Sequence, residues 1–377
     1  MSIILLKYEN KLSKKEVLNH IPPCKLEFIE GTRNSKSKLI KGDNLQVMKC
    51  LIDNYSLKGK INFVYIDPPF STNNIFTYNE DKANTISRCN GDNIAYEDSL
   101  AGAEFIEYIR RRLILLKDLM SDNGSIYLHI DYKIGHYIKI IMDEIFGKNN
   151  FLNDITRIKC NPKNFDRKAY GNVKDLILFY SKKRDKHVWN DIRTPLTKED
   201  INKRFSKIDD SGQRYTTIPL HAPGETENGI TSKEWRGMPP PKGRHWRTNP
   251  KEFDKLDEEG LIEWSKTGNP RKKIYARDSK GKKIQDVLEY KDPQNPVYPT
   301  EKNYDLIKLF IKNSSNPQDI VLDCFCGSGT TLKAAKELGR NFIGIDNSDE
   351  AINQSLQKLS SKQKKLDDIE FEYLRCI

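Results

Sequence analysis

The sequence predicts an α/β protein of doubly wound, mostly parallel type, in which two α/β halves flank a basic insertion of different character. Three observations carry this. Apolar runs of strand length, several ending in acidic residues, alternate with amphipathic helical segments toward both ends of the chain. Between residues 183 and 297 that alternation dissolves into stretches rich in Pro, Gly, charge and Trp. The 377 residues are enough for one large domain with an insertion, or for two domains.

Residues 1–36 are charged and mixed and run into the polar Gly31-Thr-Arg-Asn-Ser-Lys-Ser37 stretch, so they read as an N-terminal extension. Residues 37–182 hold strand candidates at Leu39–Asp43, Ile61–Asp67, Gly124–Asp131 and Asp175–Tyr180. Helical periodicity lies between them at 45–52, 104–120 and 134–146. A polar loop over 71–98 is too long for an idle connection. Residues 183–297 read as a separate irregular module. In residues 298–377 the alternation resumes: helix 304–312, strand 320–324, helix 330–338, strand 342–346 and helix 349–359.

Charge separates the module from its flanks. The chain carries 64 Lys and Arg against 53 Asp and Glu, a net charge of +11. Residues 151–290 hold 31 of the cations and 21 of the carboxylates, so the rest is nearly neutral. All four tryptophans (Trp189, Trp235, Trp246 and Trp264) also lie there, among basic runs such as Lys242-Gly-Arg-His-Trp-Arg247 and Arg271-Lys-Lys273. Cations interleaved with aromatic platforms suit nucleic acid, the plain alternative being a solvated lysine-rich face.

Seven scattered cysteines (Cys24, Cys50, Cys89, Cys160, Cys324, Cys326 and Cys376) lack zinc-ligand spacing, so no metal is expected and they read as buried thiols in a reducing cytosol. The apolar run of Met1–Lys7 is shorter than expected of a signal peptide, and no stretch of about 20 apolar residues occurs in the sequence. The expectation is a cytoplasmic protein without a membrane partner.

Two motifs carry chemistry. Asp323-Cys-Phe-Cys-Gly-Ser-Gly-Thr-Thr331 follows a strand and opens a helix, where a doubly wound sheet binds a nucleotide-like ligand. Gly327 and Gly329 let the backbone approach that ligand and free helix-start amides for a carboxylate. Asp346 ends the next strand, placed to accept from two ribose hydroxyls. The spacing is not Gly-x-Gly-x-x-Gly and no P-loop lysine follows. That disfavours dinucleotides and ATP and favours S-adenosylmethionine, which has a ribose and a carboxylate but no phosphate. An ordinary glycine turn is the alternative for the tripeptide alone.

Asp67-Pro-Pro-Phe70 also follows an apolar strand. Proline fixes φ and offers a carbonyl without a competing N–H, so Asp67 and the Pro68 carbonyl can grip the two hydrogens of an amine while Phe70 stacks on its ring. An exocyclic base amine needs this, because its lone pair is delocalised and two acceptors draw the nitrogen toward attack. A base in a duplex reaches such a site only when flipped out. A proline-rich turn after a strand is the structural alternative.

Together with Gly42-Asp-Asn44, the Leu119–Asp131 block and Tyr298-Pro-Thr-Glu-Lys302, these motifs resemble the beta class of bacterial amino-methyltransferases from restriction-modification systems, over most of the chain. The resemblance implies a Rossmann-like methyltransferase sheet assembled from both ends of the chain. It makes 37–182 the catalytic half, 183–297 the target-recognition domain and 298–377 the cofactor-binding half. It implies catalytic Asp67, Pro68, Pro69 and Phe70, and S-adenosylmethionine held by Asp43, Thr300, Lys302, Asp323, Phe325, Gly327, Ser328, Gly329, Thr330 and Asp346. Asp43 would lie near the cofactor's adenine, and Tyr298–Lys302 near its methionine end. Duplex DNA would meet Trp235, Arg236, Arg244, Trp246, Arg247, Arg271, Lys272 and Lys273. A cognate restriction endonuclease and a homodimer are the partners it suggests.

This chain has Cys324 and Cys326 where relatives often have Pro or Phe, and Asn303 where they often have Pro. Asp67 in first position points to adenine N6, where Ser is commoner in enzymes acting on cytosine N4. Cytosine N4 is the rival target, followed by a protein or RNA methyltransferase, a catalytically inactive DNA-binding relative and a nicotinamide-dependent oxidoreductase.

Overall fold

The computed structural model describes residues 4–69, 102–162, 166, 168–293, 301–360 and 369–377, together with the backbone of the short strands Ile75–Tyr78, Ala83–Asn84 and Asn93–Glu97. The chain divides into two compact units: residues 1–192 with 285–377, and Arg193–Ile284.

The first unit is built on a ten-stranded sheet. Its strands in chain order are β1 (Leu26–Gly31), β2 (Lys38–Lys41), β3 (Ile61–Ile66), β4 (Met120–Ile130), β5 (Phe151–Ile158), β6 (Lys174–Ser181), β7 (Val287–Glu289), β8 (Ile320–Asp323), β9 (Asn341–Asp346) and β10 (Glu372–Cys376). They pair in the order β1-β10-β2-β9-β8-β3-β4-β6-β5-β7. From β10 through β4 every pairing is parallel, and β1, β6 and β5 bring the antiparallel ones. Central strands of such a sheet are covered on both faces, which is why β3 reads as the almost unbroken apolar run Ile-Asn-Phe-Val-Tyr-Ile. The sheet is sewn from both ends of the chain, since β8 and β9 from the C-terminal part lie between β2 and β3 from the N-terminal part.

Helices α1 (Asn44–Asp53), α2 (Gly102–Leu119), α3 (Gly135–Phe146), α4 (Tyr304–Ser314), α5 (Thr330–Glu337) and α6 (Asp349–Ser360) accompany the strands. Each buries an apolar stripe. In α1 it is Leu45, Val47, Met48 and Leu51, and the helix starts where Asp43 Oδ1 accepts the Leu45 and Gln46 amides at 3.0 and 3.1 Å. Asn303 caps α4 by accepting the Leu306 amide at 3.2 Å, a role proline could not fill at that position. Strand β8 leads through α5 to β9 on one side, and β3 leads through α2 to β4 on the other. The boundary between β8 and β3 is therefore the switch point at which a doubly wound sheet opens a crevice at its carboxyl edge.

Several sequence expectations change. Residues 1–36 are not merely an extension, because β1 pairs antiparallel with β10 and places Leu26 opposite Cys376. That pairing brings Cys24 and Cys376 together in a disulfide, Cα–Cα 6.0 Å, so these two are not thiols. Cys160 is only half-buried, while Cys50, Cys324 and Cys326 are buried free thiols and Cys89 lies outside the described residues.

The second unit is narrower than 183–297. Trp189 packs on Phe179 of the large sheet at 6.0 Å, and Val287–Glu289 ends as β7 of that sheet. Nor is the unit irregular. Lys207–Ile208, Arg214–Pro219, Pro270–Tyr275 and Ile262–Trp264 form an antiparallel four-stranded sheet in that order. A small core of Leu220, Trp235, Trp246, Phe253 and Ile262 closes the unit.

Candidate active site

Because β9, β8 and β3 are adjacent and parallel, the residues at their ends share one edge of the sheet: Asp346, Asp323 and Asp67. Two motifs separated by more than 250 residues thus meet in space. Phe70 and Thr300, like Tyr298, lie outside the described residues.

Asp67 presents two unlike oxygens. Its Oδ2 receives an ion pair from Lys302 Nζ at 2.6 Å, between side chains only 15% and 11% exposed. Its Oδ1 is buried and has no hydrogen-bond partner among the described residues. An orphaned buried acceptor carries a desolvation penalty of about 1–3 kcal/mol, which a donor arriving there would relieve. Pro68 is buried and Pro69 half-buried, fixing the turn behind the carboxylate. The resemblance put Lys302 beside the cofactor; here its ammonium lies on Asp67.

The glycine turn is built tightly. Gly327 donates its amide to Asp346 Oδ2 at 2.9 Å, and Ser348 donates to Oδ1 at 3.0 Å, so the carboxylate is held with lone pairs to spare. Gly329 has φ +77°, and a Cβ there would stand 2.7 Å from Ser355 Oγ. Asp323 accepts the Phe325 amide at 3.0 Å and is fully buried. Burial first, then the fields of Asp67 and Asp346, push its carboxyl up to about 7.

Lys358, from α6, is 2.6 Å from Glu301, 2.9 Å from Ser328 Oγ and 3.3 Å from Thr330 Oγ1. The pair sets a cation and a carboxylate side by side at the turn. Glu301 belongs to the Tyr298–Lys302 block that the resemblance put near the methionine end, whereas Lys358 was missed because α6 gave no motif to point to it.

Asp43 caps α1 and also meets Arg112 of α2 at 3.4 Å. Buried Arg112 donates to Asn44 Oδ1 at 2.6 Å, and its Cζ lies 3.4 Å from the centroid of the Tyr108 ring, which stands 6.2 Å from the Phe325 ring. Tyr108 and Arg112 were likewise missed, since in sequence they belong to the ordinary amphipathic pattern of a helix.

A buried polar chain runs behind Asp67. His129 accepts from the Tyr65 hydroxyl through Nδ1 at 2.9 Å and donates from Nε2 to Asp175 at 3.1 Å, a tautomer assigned because a carboxylate can only accept. Lys159 reaches the other Asp175 oxygen at 2.7 Å. Burial alone would raise Asp175, but His129 and Lys159 hold it well below the carboxylate range, and burial keeps His129 low and neutral. The chain braces β3, β4 and β6 immediately before the Asp67 turn.

In the second unit the expected DNA contacts do not form one surface. Trp246 is fully buried and Trp235 is 3% exposed, both in the core, with ring faces packed against Phe253 or Trp264. Neither is available as a stacking platform. Arg236 is paired with Asp254 at 2.9 Å and Asp257 at 2.6 Å. Arg271 is spent on Thr217, Oγ1 and carbonyl both at 2.8 Å. Lys272 and Lys273 alternate across the sheet opposite Ile218 and Thr217. Arg244 and Arg247 are exposed.

Residues 61–357 match the family model of the N6 and N4 DNA methylases. The chain belongs to that family. Among curated relatives, the type II methyltransferase M.EcaI of Enterobacter cloacae is 44% identical over 298 residues, 77% of this chain and 62% of the relative. The StyLTI Mod subunit, from a type III restriction-modification enzyme of Salmonella typhimurium, is 25% identical over 97% of this chain and 60% of its own length. The chain thus spans about three fifths of the length of these relatives. A solved structure, the cytosine-N4-specific PvuII DNA methyltransferase, shares the fold with a TM-score of 0.50 at 12% identity, over 91% of this chain and 94% of that one.

Proposed function

We propose that this DNA methylase transfers a methyl group from S-adenosylmethionine to adenine N6 in duplex DNA, with the base flipped into the crevice between β8 and β3. The observation that carries the reading is Asp67 Oδ1, a buried acceptor without a partner among the described residues, at the sheet edge shared with the glycine turn.

The residues present fit the cofactor. Gly329 lets the turn close directly on Ser355 of α6, and Asp346 keeps acceptor capacity for ribose hydroxyls. Asp43, aligned by Arg112, offers an acceptor to the adenine amine beside Tyr108 and Phe325. Lys358 and Glu301 offer opposite charges to the zwitterionic amino-acid end, which the helix-start amides of α5 also favour. Bound there, the cofactor supplies an electrophilic methyl group.

Asp67 Oδ1 accepts one hydrogen of the target amine and the Pro68 carbonyl the other. The nitrogen lone pair is thereby drawn out of conjugation and aimed for direct displacement. Lys302 fixes the second Asp67 oxygen, so the carboxylate presents a single edge. The Tyr65–His129–Asp175 chain keeps the turn from shifting under load.

Adenine rather than cytosine is supported by Asp67, the residue that goes with adenine in the resemblance. The second unit is the proposed target-recognition domain. A cognate restriction endonuclease, a homodimer and a cytoplasmic, bacterial setting complete the proposal. Among the described residues no helix is long and apolar enough to cross a membrane.

Hydrolysing DNA methylated by the protein to nucleosides and analysing them by mass spectrometry tests the target. N6-methyladenine is expected; N4-methylcytosine alone would overturn the adenine reading while sparing the mechanism.

A further inference from the structure

We propose that a basic concavity inside the second unit is the seat of the duplex phosphate backbone, an inference that rests on the DNA methyltransferase reading above. The concavity has a volume of about 680 Å³ and is lined by Arg193, Arg204, Lys280, Lys282 and Lys283, with Asp278 the one carboxylate among its lining residues. Three of the cations form the run Lys280-Gly-Lys-Lys283, and Arg193 and Arg204 join them from a stretch some 80 residues earlier. They converge because Arg193–Thr194 pairs antiparallel with Lys282–Lys283. Gly281 lets that pairing close: its φ is +92°, and a Cβ there would stand 2.5 Å from the Thr194 carbonyl oxygen.

The lining holds five cations to one carboxylate, while this unit has fourteen carboxylates in all. Of its carboxylates, Glu252, Asp254, Asp257, Glu258 and Glu259 lie on or beside the helix Lys251–Glu258, where Asp254 and Asp257 neutralise Arg236. Lys282 is paired with Asp200, and Arg204, Lys280, Lys282 and Lys283 are all exposed. A concave cluster of one sign focuses the field and draws a polyanion. Phe205, in the wall, is buried and Ile274 half-buried, so no exposed ring is there to stack on a base. With cations gathered in a concavity and no ring for a base to stack on, the chemistry fits phosphate oxygens, and we assign it to positioning the duplex rather than to reading sequence.

The test is fluorescence anisotropy of the full chain with two labelled duplexes, one carrying the methylated sequence and one lacking it, over a series of salt concentrations. In the triple variant Arg204→Gln, Lys280→Gln, Lys283→Gln, both duplexes should bind more weakly by the same factor. The slope of log K against log salt should flatten by about 0.9 for each phosphate that is no longer neutralised. The charge-retaining triple Arg204→Lys, Lys280→Arg, Lys283→Arg should bind as the unaltered protein does. Should the neutral triple fail to fold, Lys280→Gln alone should flatten the slope by about one unit. An unchanged slope in a folded neutral variant overturns the proposal, as does weakening confined to the methylated-sequence duplex. If the unaltered protein binds neither duplex, the DNA methyltransferase reading itself falls.

Discussion

Asp67, Asp323 and Asp346 sit at the ends of three neighbouring strands, and their surroundings assign them different work. Asp346 is held open by two backbone amides, so Asp346→Ala should weaken S-adenosylmethionine binding by about 1–3 kcal/mol, the cost of unpaired ribose hydroxyls. Titration calorimetry checks this, and unchanged affinity would move the ribose site elsewhere. Asp323 is a carboxyl whose folded value, about 7, exceeds its unfolded one. The folded state then holds a proton that the unfolded state releases, so this group's contribution to stability falls as pH rises from about 4 to about 7 and stays reduced above. Asp323→Asn, which keeps an acceptor for the Phe325 amide, should match the unaltered protein in melting temperature at pH 4. It should exceed it at pH 8; an equal melting temperature at both would contradict the assignment. The acidic trio was legible because each member ends an apolar run. Lys302 on Asp67 was not, since an ion pair across 235 residues of sequence leaves no local pattern.

Elements were legible where their apolar pattern was strong. Strands β3, β8 and β9 and helices α2, α5 and α6 lie where the alternation put them. Strands β1, β5, β7 and β10 carry too little apolar pattern to be seen before their partners are known. The second unit shows the same limit. Trp235 and Trp246 looked like platforms because Arg and Lys surround them, but Phe253, against which both pack, sits on a helix whose place only the fold reveals. Trp246→Ala should therefore cost about 3–5 kcal/mol of local stability, as for a large buried aromatic. Hydrogen exchange should speed up over 214–223 and 251–264. Unchanged protection there would return Trp246 to the surface.

At the scale of the molecule, the large sheet uses no strand from Arg193–Ile284, and the chain enters and leaves that unit through paired strands. Replacing 195–281 with a short glycine linker should leave cofactor affinity within about twofold, as expected for a site on an intact fold. Sequence preference in DNA methylation should be lost, as read by base-resolved sequencing. Preference that survives the replacement would place recognition outside the unit. The permuted assembly was legible only through the resemblance, because two α/β halves could equally have made two sheets. The proposed chemistry turns on one oxygen, Asp67 Oδ1, and the decisive measurement is single-turnover transfer of labelled methyl to duplex DNA by Asp67→Ala, with cofactor affinity measured on the same sample. Transfer should fall at least about a hundredfold while cofactor affinity is unchanged. Transfer near the unaltered rate would contradict the assignment of that oxygen to the target amine.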